Sequence, residues 1–255
     1  MKKELRIVSL DGISGTGKSQ IMRYLMGYYA KKYSVMGFSE NLISPERETL
    51  ACKVLSIRED KSLSGDEKKY LEDKLFTEIA SDDRAYISRT FIPFAAQANA
   101  DLLFLDRWYP TNMAYQSLGR LTPEEILKLH RDKNVAEPDI YIILTCPAEI
   151  ASKRVDMRTT KMVRGVAGKM STVRSKDGEI DLAASLEKKR RIQDQFLKLP
   201  PILGHERCLV VDTAGNITDV LKELTGKLNI KLFGKPLDIP SEFPAWPFDN
   251  QVISG

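Results

Sequence analysis

One segment near the N-terminus constrains the fold more than any other part of the chain. The apolar run at residues 7–10 predicts a buried strand, residues 12–17 a glycine-rich turn, and the apolar spacing that follows a helix. Residues 12–19 fit the pattern G-x-x-x-x-G-K-[ST]. Glycines let the backbone approach a polyphosphate, and successive N–H groups beside a helix N-terminus attract its charge. The segment therefore predicts a P-loop, a site for nucleotide phosphates.

Two side chains of this loop have specific expected roles. Lys18 is expected to reach the β- and γ-phosphates of ATP, and the Ser19 hydroxyl is expected to hold Mg²⁺. The other loop residues contribute mainly backbone N–H groups. The full set of predicted ATP-binding positions in the loop is Gly12, Ser14, Gly15, Thr16, Gly17, Lys18, Ser19 and Gln20.

A second informative segment ends in an acidic residue. Residues 102–105 form a continuous apolar run, which is typical of a parallel strand covered on both faces. Ligands of open α/β sheets bind at the carboxyl ends of strands, where Asp106 and Arg107 follow this run. We expect Asp106 to support Mg²⁺ together with Ser19, and Arg107 to face the phosphates. The alternative is a surface Asp–Arg pair.

The order of strands and helices predicts the fold class. Further strands are expected at residues 33–38, 139–145 and 208–212, with helices between them. This alternation predicts a three-layer α/β fold with a doubly wound, five-stranded parallel sheet. A long helix is expected at residues 69–98, after a charged and exposed segment, and a closing helix at 217–228. We predict one kinase-like domain over residues 1–230 and a Pro-rich C-terminal extension over 231–255.

A basic segment at about residues 157–178 interrupts this pattern. Its residues 157–176 are rich in Lys and Arg, carry two glycines and have few large apolar side chains. Such a loop can close over bound phosphates as a lid and exclude water. Arg158 and Arg164 are the candidates for a catalytic cation there. A solvated charged loop, or a flexible loop that binds nucleic acid, is the alternative.

Composition restricts the other classes of function. The chain has 255 residues and a net charge of only +4, which does not by itself favour nucleic acid or membrane partners. Its three cysteines match no zinc or redox spacing, which predicts a reducing cytoplasm. We find no signal peptide and no segment long enough to span a bilayer. The prediction is a cytoplasmic protein with neither a nucleic acid nor a membrane partner.

The motifs taken together resemble a known family. They are L-D-G-I-S-G-T-G-K-S-Q at residues 10–20, P-E-R at 45–47, D-R-A at 83–85, D-R-W at 106–108, A-Y-Q at 114–116 and P-D-I at 138–140. This combination resembles thymidylate kinase and its nucleoside monophosphate kinase relatives, over about residues 3–228. D-R-aromatic with A-Y-Q eight residues on is much more specific than the P-loop alone.

The resemblance implies an activity and a set of site residues. The family transfers the γ-phosphoryl group of ATP to a nucleoside monophosphate, and dTMP is the leading acceptor here. By position, Arg47 and Arg107 would hold the acceptor phosphate, and Arg84 would contact the pyrimidine edge. The remaining implied contacts are Ser14, Thr111, Tyr115 and Gln116 on the acceptor side, and Ala214 and Gly215 at the adenine edge. A homodimer is also expected.

Three departures from the family keep other acceptors open, and one of them is a lid that is longer than the family's and does not follow its pattern cleanly. Ser14 stands where the family usually has an acidic residue, and Ala80 stands where it has a base-stacking Phe. One alternative is a P-loop kinase of a deoxynucleoside, a nucleic-acid 5′ end or a small metabolite. The other is a nucleotide-binding regulatory protein without acceptor chemistry. Arg47 and Arg107 favour an acceptor that already carries a phosphate.

Overall fold

A computed structural model describes residues 4–39, 47–161, 173–174 and 180–239, with only the backbone at 47–51, 156–161, 173–174 and 180–181. The strands are β1 (Arg6–Gly12), β2 (Val35–Ser39), β3 (Leu102–Asp106), β4 (Ile140–Thr145), β5 (Val173–Arg174), β6 (Ile180–Asp181) and β7 (Cys208–Asp212). The helices are α1 (Lys18–Tyr29), α2 (Arg47–Glu59), α3 (Gly65–Gln97), α4 (Tyr109–Gln116), α5 (Pro123–Asp132), α6 (Ala148–Lys161), α7 (Leu182–Lys198), α8 (Pro200–Leu203) and α9 (Ile217–Phe233).

The main sheet has five strands in the order β2-β3-β1-β4-β7, and every neighbouring pair is parallel. This confirms the predicted five-stranded parallel sheet. β1 lies at its centre, where Leu10 is in register with Asp106 and Gly12 with Leu144. The carboxyl ends of β1 and β3, which carry the two predicted phosphate-site motifs, are therefore adjacent.

Alternating strand residues divide the core into two layers. Ile7 of β1 packs with α3, α4, α5 and α7 on one face of the sheet, while Val8 packs with α1 and α9 on the other. Both faces of the central strands are buried. This explains why their sequences are continuous apolar runs and not alternating patterns.

Three helix boundaries differ from the sequence expectation. α3 begins at Gly65, four residues before the predicted start, because Ser64 and Glu67 form a reciprocal capping box. α6 continues to Lys161, so the first residues of the predicted lid are helical. α9 continues to Phe233, beyond the predicted end at residue 228.

The chain after α9 packs back onto α1. The Tyr28 hydroxyl donates a hydrogen bond to the Asp238 carbonyl at 2.9 Å, and the rings of Tyr33 and Phe233 stack at 4.7 Å. Most of the predicted Pro-rich extension, residues 240–255, lies outside the described residues. Within the described ranges, we find no helix with the length and apolar character needed to cross a membrane.

Candidate active site

The P-loop backbone is shaped by glycines that no other residue can replace without strain. Gly15 has φ +101°, and a Cβ at this position would lie 2.1 Å from the Ala151 carbonyl oxygen on α6. A Cβ on Gly12, φ +147°, would lie 2.3 Å from the Leu144 carbonyl oxygen on β4. The loop is thus pressed against its neighbours, and its outer side is left to the ligand.

Lys18 folds back over this loop from the first turn of α1. Its Nζ donates hydrogen bonds to the carbonyl oxygens of Gly12, at 2.9 Å, and Ile13, at 2.7 Å. The side chain is buried, and the Thr16 hydroxyl donates to the Ile13 carbonyl from beside it, at 2.9 Å. A fixed ammonium group inside the loop is what the sequence motif predicts.

The structure brings together the two predicted metal-site residues. The Ser19 hydroxyl donates to Asp106 Oδ2 at 2.7 Å, across the adjacent ends of β1 and β3. A hydroxyl and a carboxylate are hard oxygen ligands of the kind that Mg²⁺ prefers, and Mg²⁺ usually takes its other ligands from water and phosphate. The pair therefore fits the expected metal.

Arg107 lies beside the P-loop in an unusual backbone conformation. Its φ is +72°, which is uncommon for a residue with a side chain, and its N–H donates to the Leu10 carbonyl at 2.9 Å. The guanidinium Nη2 lies 3.4 Å from Ser14 Oγ. Left-handed residues held by their surroundings are concentrated at functional sites. The turn directs a cation to the place where the sequence predicted one.

Asp11 fixes this turn, and sequence reasoning missed its role. Its side chain is fully buried, and Oδ1 accepts hydrogen bonds from the Trp108 N–H at 2.9 Å, the Thr111 N–H at 3.1 Å and the Thr111 hydroxyl at 2.7 Å. Asp11 thus connects the P-loop strand to the start of α4. Its place immediately before Gly12 was the only signal in the sequence.

The predicted base-side residues form a buried polar cluster. Arg84 on α3 is only 2% exposed, and its Nη1 donates to Asn112 Oδ1 and lies 3.2 Å from His130 Nε2. Asn112 in turn donates to Gln116 Oε1 at 2.8 Å. The cluster contains two of the predicted residues, Arg84 and Gln116. Sequence reasoning assigned no role at the site to His130 or to Asn112.

The other acceptor-side predictions occupy two different environments. Thr111 is held by Asp11 through both its amide and its hydroxyl. The half-buried Tyr115 packs edge-on against the Phe196 ring of α7, at a centroid distance of 6.3 Å. Both lie on α4, so a single helix carries them together with Gln116. Ala80 is buried on α3, one turn before Arg84.

The predicted adenine edge lies at the loop after β7. Ala214 is half-buried and Gly215 is exposed, with nothing within 4 Å of a Cβ built on Gly215. Arg154 of α6 donates to the Thr213 carbonyl at 2.8 Å and so supports this loop. The sequence pattern gave no reason to select Arg154.

The structure does not describe the side chains of three arginines that were predicted to bind phosphate. Arg47 is the first residue of α2 and Arg158 belongs to α6, but only their backbone is described. Arg164 lies outside the described residues. Gln20 is exposed on α1. The roles of these residues stay predictions.

Comparison with known proteins agrees with this geometry. A family model described as thymidylate kinase matches residues 10–224 of the chain. The chain belongs to the thymidylate kinase family. The match begins near the end of β1 and runs into α9, and so includes the other four strands of the main sheet as well as the sites described above.

Three thymidylate kinases that are similar to the chain share about a quarter of its residues over the matched segments. A thymidylate kinase of Xanthomonas oryzae pv. oryzae is 24% identical over 152 residues, which cover 60% of this chain and 61% of that protein. One of Akkermansia muciniphila is 26% identical, over 60% of this chain and 68% of its own length. One of Leptospira interrogans is 27% identical, over 62% of this chain and 71% of its own length.

Proposed function

We propose that this protein transfers the γ-phosphoryl group of ATP to a nucleoside monophosphate, with dTMP as the leading acceptor. The observation that carries the proposal is the arrangement of charged and polar side chains at the adjacent carboxyl ends of β1 and β3. There Lys18 lies within the P-loop, and the Ser19–Asp106 pair and Arg107 lie beside it. The side chains expected to bind the donor phosphates therefore lie beside the side chain expected to bind the acceptor phosphate, as phosphoryl transfer requires.

On the donor side, the chain supplies positioning and positive charge. P-loop N–H groups and Lys18 bind the β- and γ-phosphates, and Ala214 and Gly215 border the adenine. Ser19 and Asp106 would hold Mg²⁺, which, when bound, neutralises charge on the phosphate oxygens. The Ser19 hydroxyl donates to Asp106 at 2.7 Å, so its lone pairs remain available to a metal.

On the acceptor side, Arg107 holds the phosphate, together with Arg47. An oxygen of the acceptor phosphate forms a bond to the γ-phosphorus as the bond from that phosphorus to the β–γ bridging oxygen breaks, and ADP leaves. A guanidinium fits such a phosphate because it donates two parallel hydrogen bonds. Arg84, Thr111, Tyr115 and Gln116 line the sugar and base. Arg158 or Arg164 adds positive charge from the lid when both substrates are bound.

Release of ADP from ATP–Mg²⁺, measured across nucleosides and nucleoside monophosphates, tests the proposal. We expect dTMP to give the highest kcat/KM. We expect Arg107→Lys to raise the KM for the monophosphate at least tenfold with little effect on the KM for ATP, because the ammonium group of Lys cannot donate the two parallel hydrogen bonds of a guanidinium. Arg89→Lys, an exposed residue of α3, is the matched control. Preference for a nucleoside over its monophosphate, or ATP hydrolysis with no acceptor dependence, would overturn the proposal.

Two further expectations belong with this proposal. A homodimer is supported by Tyr86 and Phe94, which are 54% and 56% exposed on α3 and offer an apolar surface to a second copy. Light scattering of the wild type and of Tyr86→Ser tests it, and a monomeric wild type would exclude it.

A cytoplasmic location is supported by Cys52, Cys146 and Cys208, which are all free thiols.

A further inference from the structure

The most informative group outside the phosphate site is His130, at the end of α5. Its side chain is completely buried, with no exposed surface. Nδ1 lies 2.8 Å from the Ile126 carbonyl oxygen, and Nε2 lies 3.2 Å from Arg84 Nη1. Both ring nitrogens are therefore engaged, one with the helix backbone and the other with a residue expected at the acceptor base.

The partners of His130 fix the position of its proton. A guanidinium can only donate hydrogen bonds, so Nε2 must accept from Arg84 and Nδ1 must carry the hydrogen that is donated to the Ile126 carbonyl. Burial, together with the positive charge of Arg84, lowers the pKa of His130 from 6.5 to about 3. The imidazole is therefore neutral near neutral pH.

The same reasoning fixes which group is the donor and which is the acceptor in each hydrogen bond of the polar cluster. Because Arg84 can only donate, Asn112 must present Oδ1 to it, and the amide nitrogen of Asn112 then donates to Gln116 Oε1. The group left on the Gln116 amide is its NH₂, a double donor. Each step from the Ile126 carbonyl to Gln116 follows from a group that has only one available role.

We infer that His130 is a positioning residue of the acceptor site, which holds Arg84 so that Asn112 is fixed between Arg84 and Gln116 and the Gln116 NH₂ is left as the hydrogen-bond donor toward the acceptor. Donors fit the carbonyl oxygen of a keto pyrimidine and disfavour an exocyclic amino group at the same place. This inference rests on the proposed function, in that it takes the acceptor to be a nucleotide bound along Arg84 and Gln116.

His130 also packs against the Tyr109 ring, at a centroid distance of 5.4 Å, so replacing it also removes core packing. The test must therefore separate positioning from stability. His130→Leu removes the acceptor atom, whereas His130→Gln keeps an oxygen near the position of Nε2. Leu127→Ala is the matched control, because Leu127 is buried on the same helix and its side chain has no polar atom to offer Arg84.

Steady-state kinetics of these variants give the expected pattern. Loss of a buried hydrogen bond to a charged group corresponds to about a 10- to 100-fold effect. We expect His130→Leu to raise the KM for dTMP by that factor, to leave the KM for ATP within about twofold, and to reduce the preference for dTMP over dCMP. His130→Gln should restore most of the loss. Leu127→Ala should lower the melting temperature without changing that preference.

Two results would overturn the inference, and the second does not depend on the proposed function. One is an unchanged KM and preference in His130→Leu while Arg84→Gln loses both. The other is a ¹⁵N NMR spectrum of the wild type in which His130 is protonated at Nε2, a measurement that needs no variant to fold. If Arg84→Gln also leaves the acceptor KM unchanged, the proposed acceptor site itself is wrong.

Discussion

Replacing Asp11 tests whether one buried carboxylate joins the two halves of the site. Asp11→Ala removes the acceptor of three hydrogen bonds, two of them from the backbone N–H groups of Trp108 and Thr111. Bonds to a charged group are worth about 1.5–3 kcal/mol each, and relief of the buried charge offsets several kcal/mol of the sum. We expect a net loss of about 3 kcal/mol in the free energy of unfolding. Asp11→Asn keeps an oxygen acceptor and should lose about 1 kcal/mol.

Urea denaturation and kinetics of the same proteins provide the assay. Ser9→Ala is the control, because Ser9 is fully buried two residues away on β1 and its hydroxyl has no hydrogen-bond partner among the described residues. Ser9→Ala should leave the free energy of unfolding nearly unchanged. Loosening the turn should also raise the KM for the monophosphate in Asp11→Ala, through displacement of Arg107. If Asp11→Ala is as stable as Ser9→Ala, or if Asp11→Asn is as damaging as Asp11→Ala, the reasoning is refuted.

Three other predictions concern the loop and the buried histidine. Lys18→Ala should lower kcat about 10²–10³-fold, by analogy with loss of one preorganised donor, and wild-type turnover would exclude its role. Gly15→Ala should destabilise the fold by at least about 1–3 kcal/mol in a thermal melting experiment, because its Cβ would meet the Ala151 carbonyl at 2.1 Å. Gly27→Ala, a control in α1 with open space around the new Cβ, should be neutral or stabilising in the same experiment. Since the folded-state pKa of His130 is lowered from 6.5 to about 3, the unfolded chain binds the proton first, and stability should fall by up to about 1.4 kcal/mol per unit as pH drops below 6.5. His130→Gln should lack this component in denaturation between pH 7 and 5, and an identical pH dependence in both proteins would contradict the assignment.

Local patterns in the sequence were sufficient for the framework of the fold. The P-loop lies within eight consecutive residues, and the strand before Asp106 is a continuous apolar run, so each could be recognised without knowledge of its neighbours. Parallel pairing then brings Ser19 and Asp106 together, because Ser19 follows the carboxyl end of β1 and Asp106 is the last residue of the adjacent strand β3. The start of α3 could also have been found, since Ser64 and Glu67 have the capping-box spacing.

Residues that act through distant partners could not be predicted in this way. The partners of Asp11 lie about a hundred positions later in the chain, and His130 meets Arg84 across 46 positions. Arg154 supports a loop 59 positions away. A single sequence carries no signal for such pairs, because the residue types involved are equally common on solvated surfaces. Only the packing of α3, α5 and α6 against the sheet brings these residues to their partners.

The last three residues of β1 have a consequence for how acceptor preference can change during evolution. The Leu10 carbonyl binds the Arg107 amide, Asp11 binds the start of α4, and the Gly12 carbonyl binds Lys18. On the proposed function, these three consecutive residues support groups of both substrate sites, so a substitution there is expected to impair ATP and acceptor binding together. Selection for a new acceptor would therefore act elsewhere. Ser14 and Ala80, two of the departures from the family pattern, both lie outside this tripeptide.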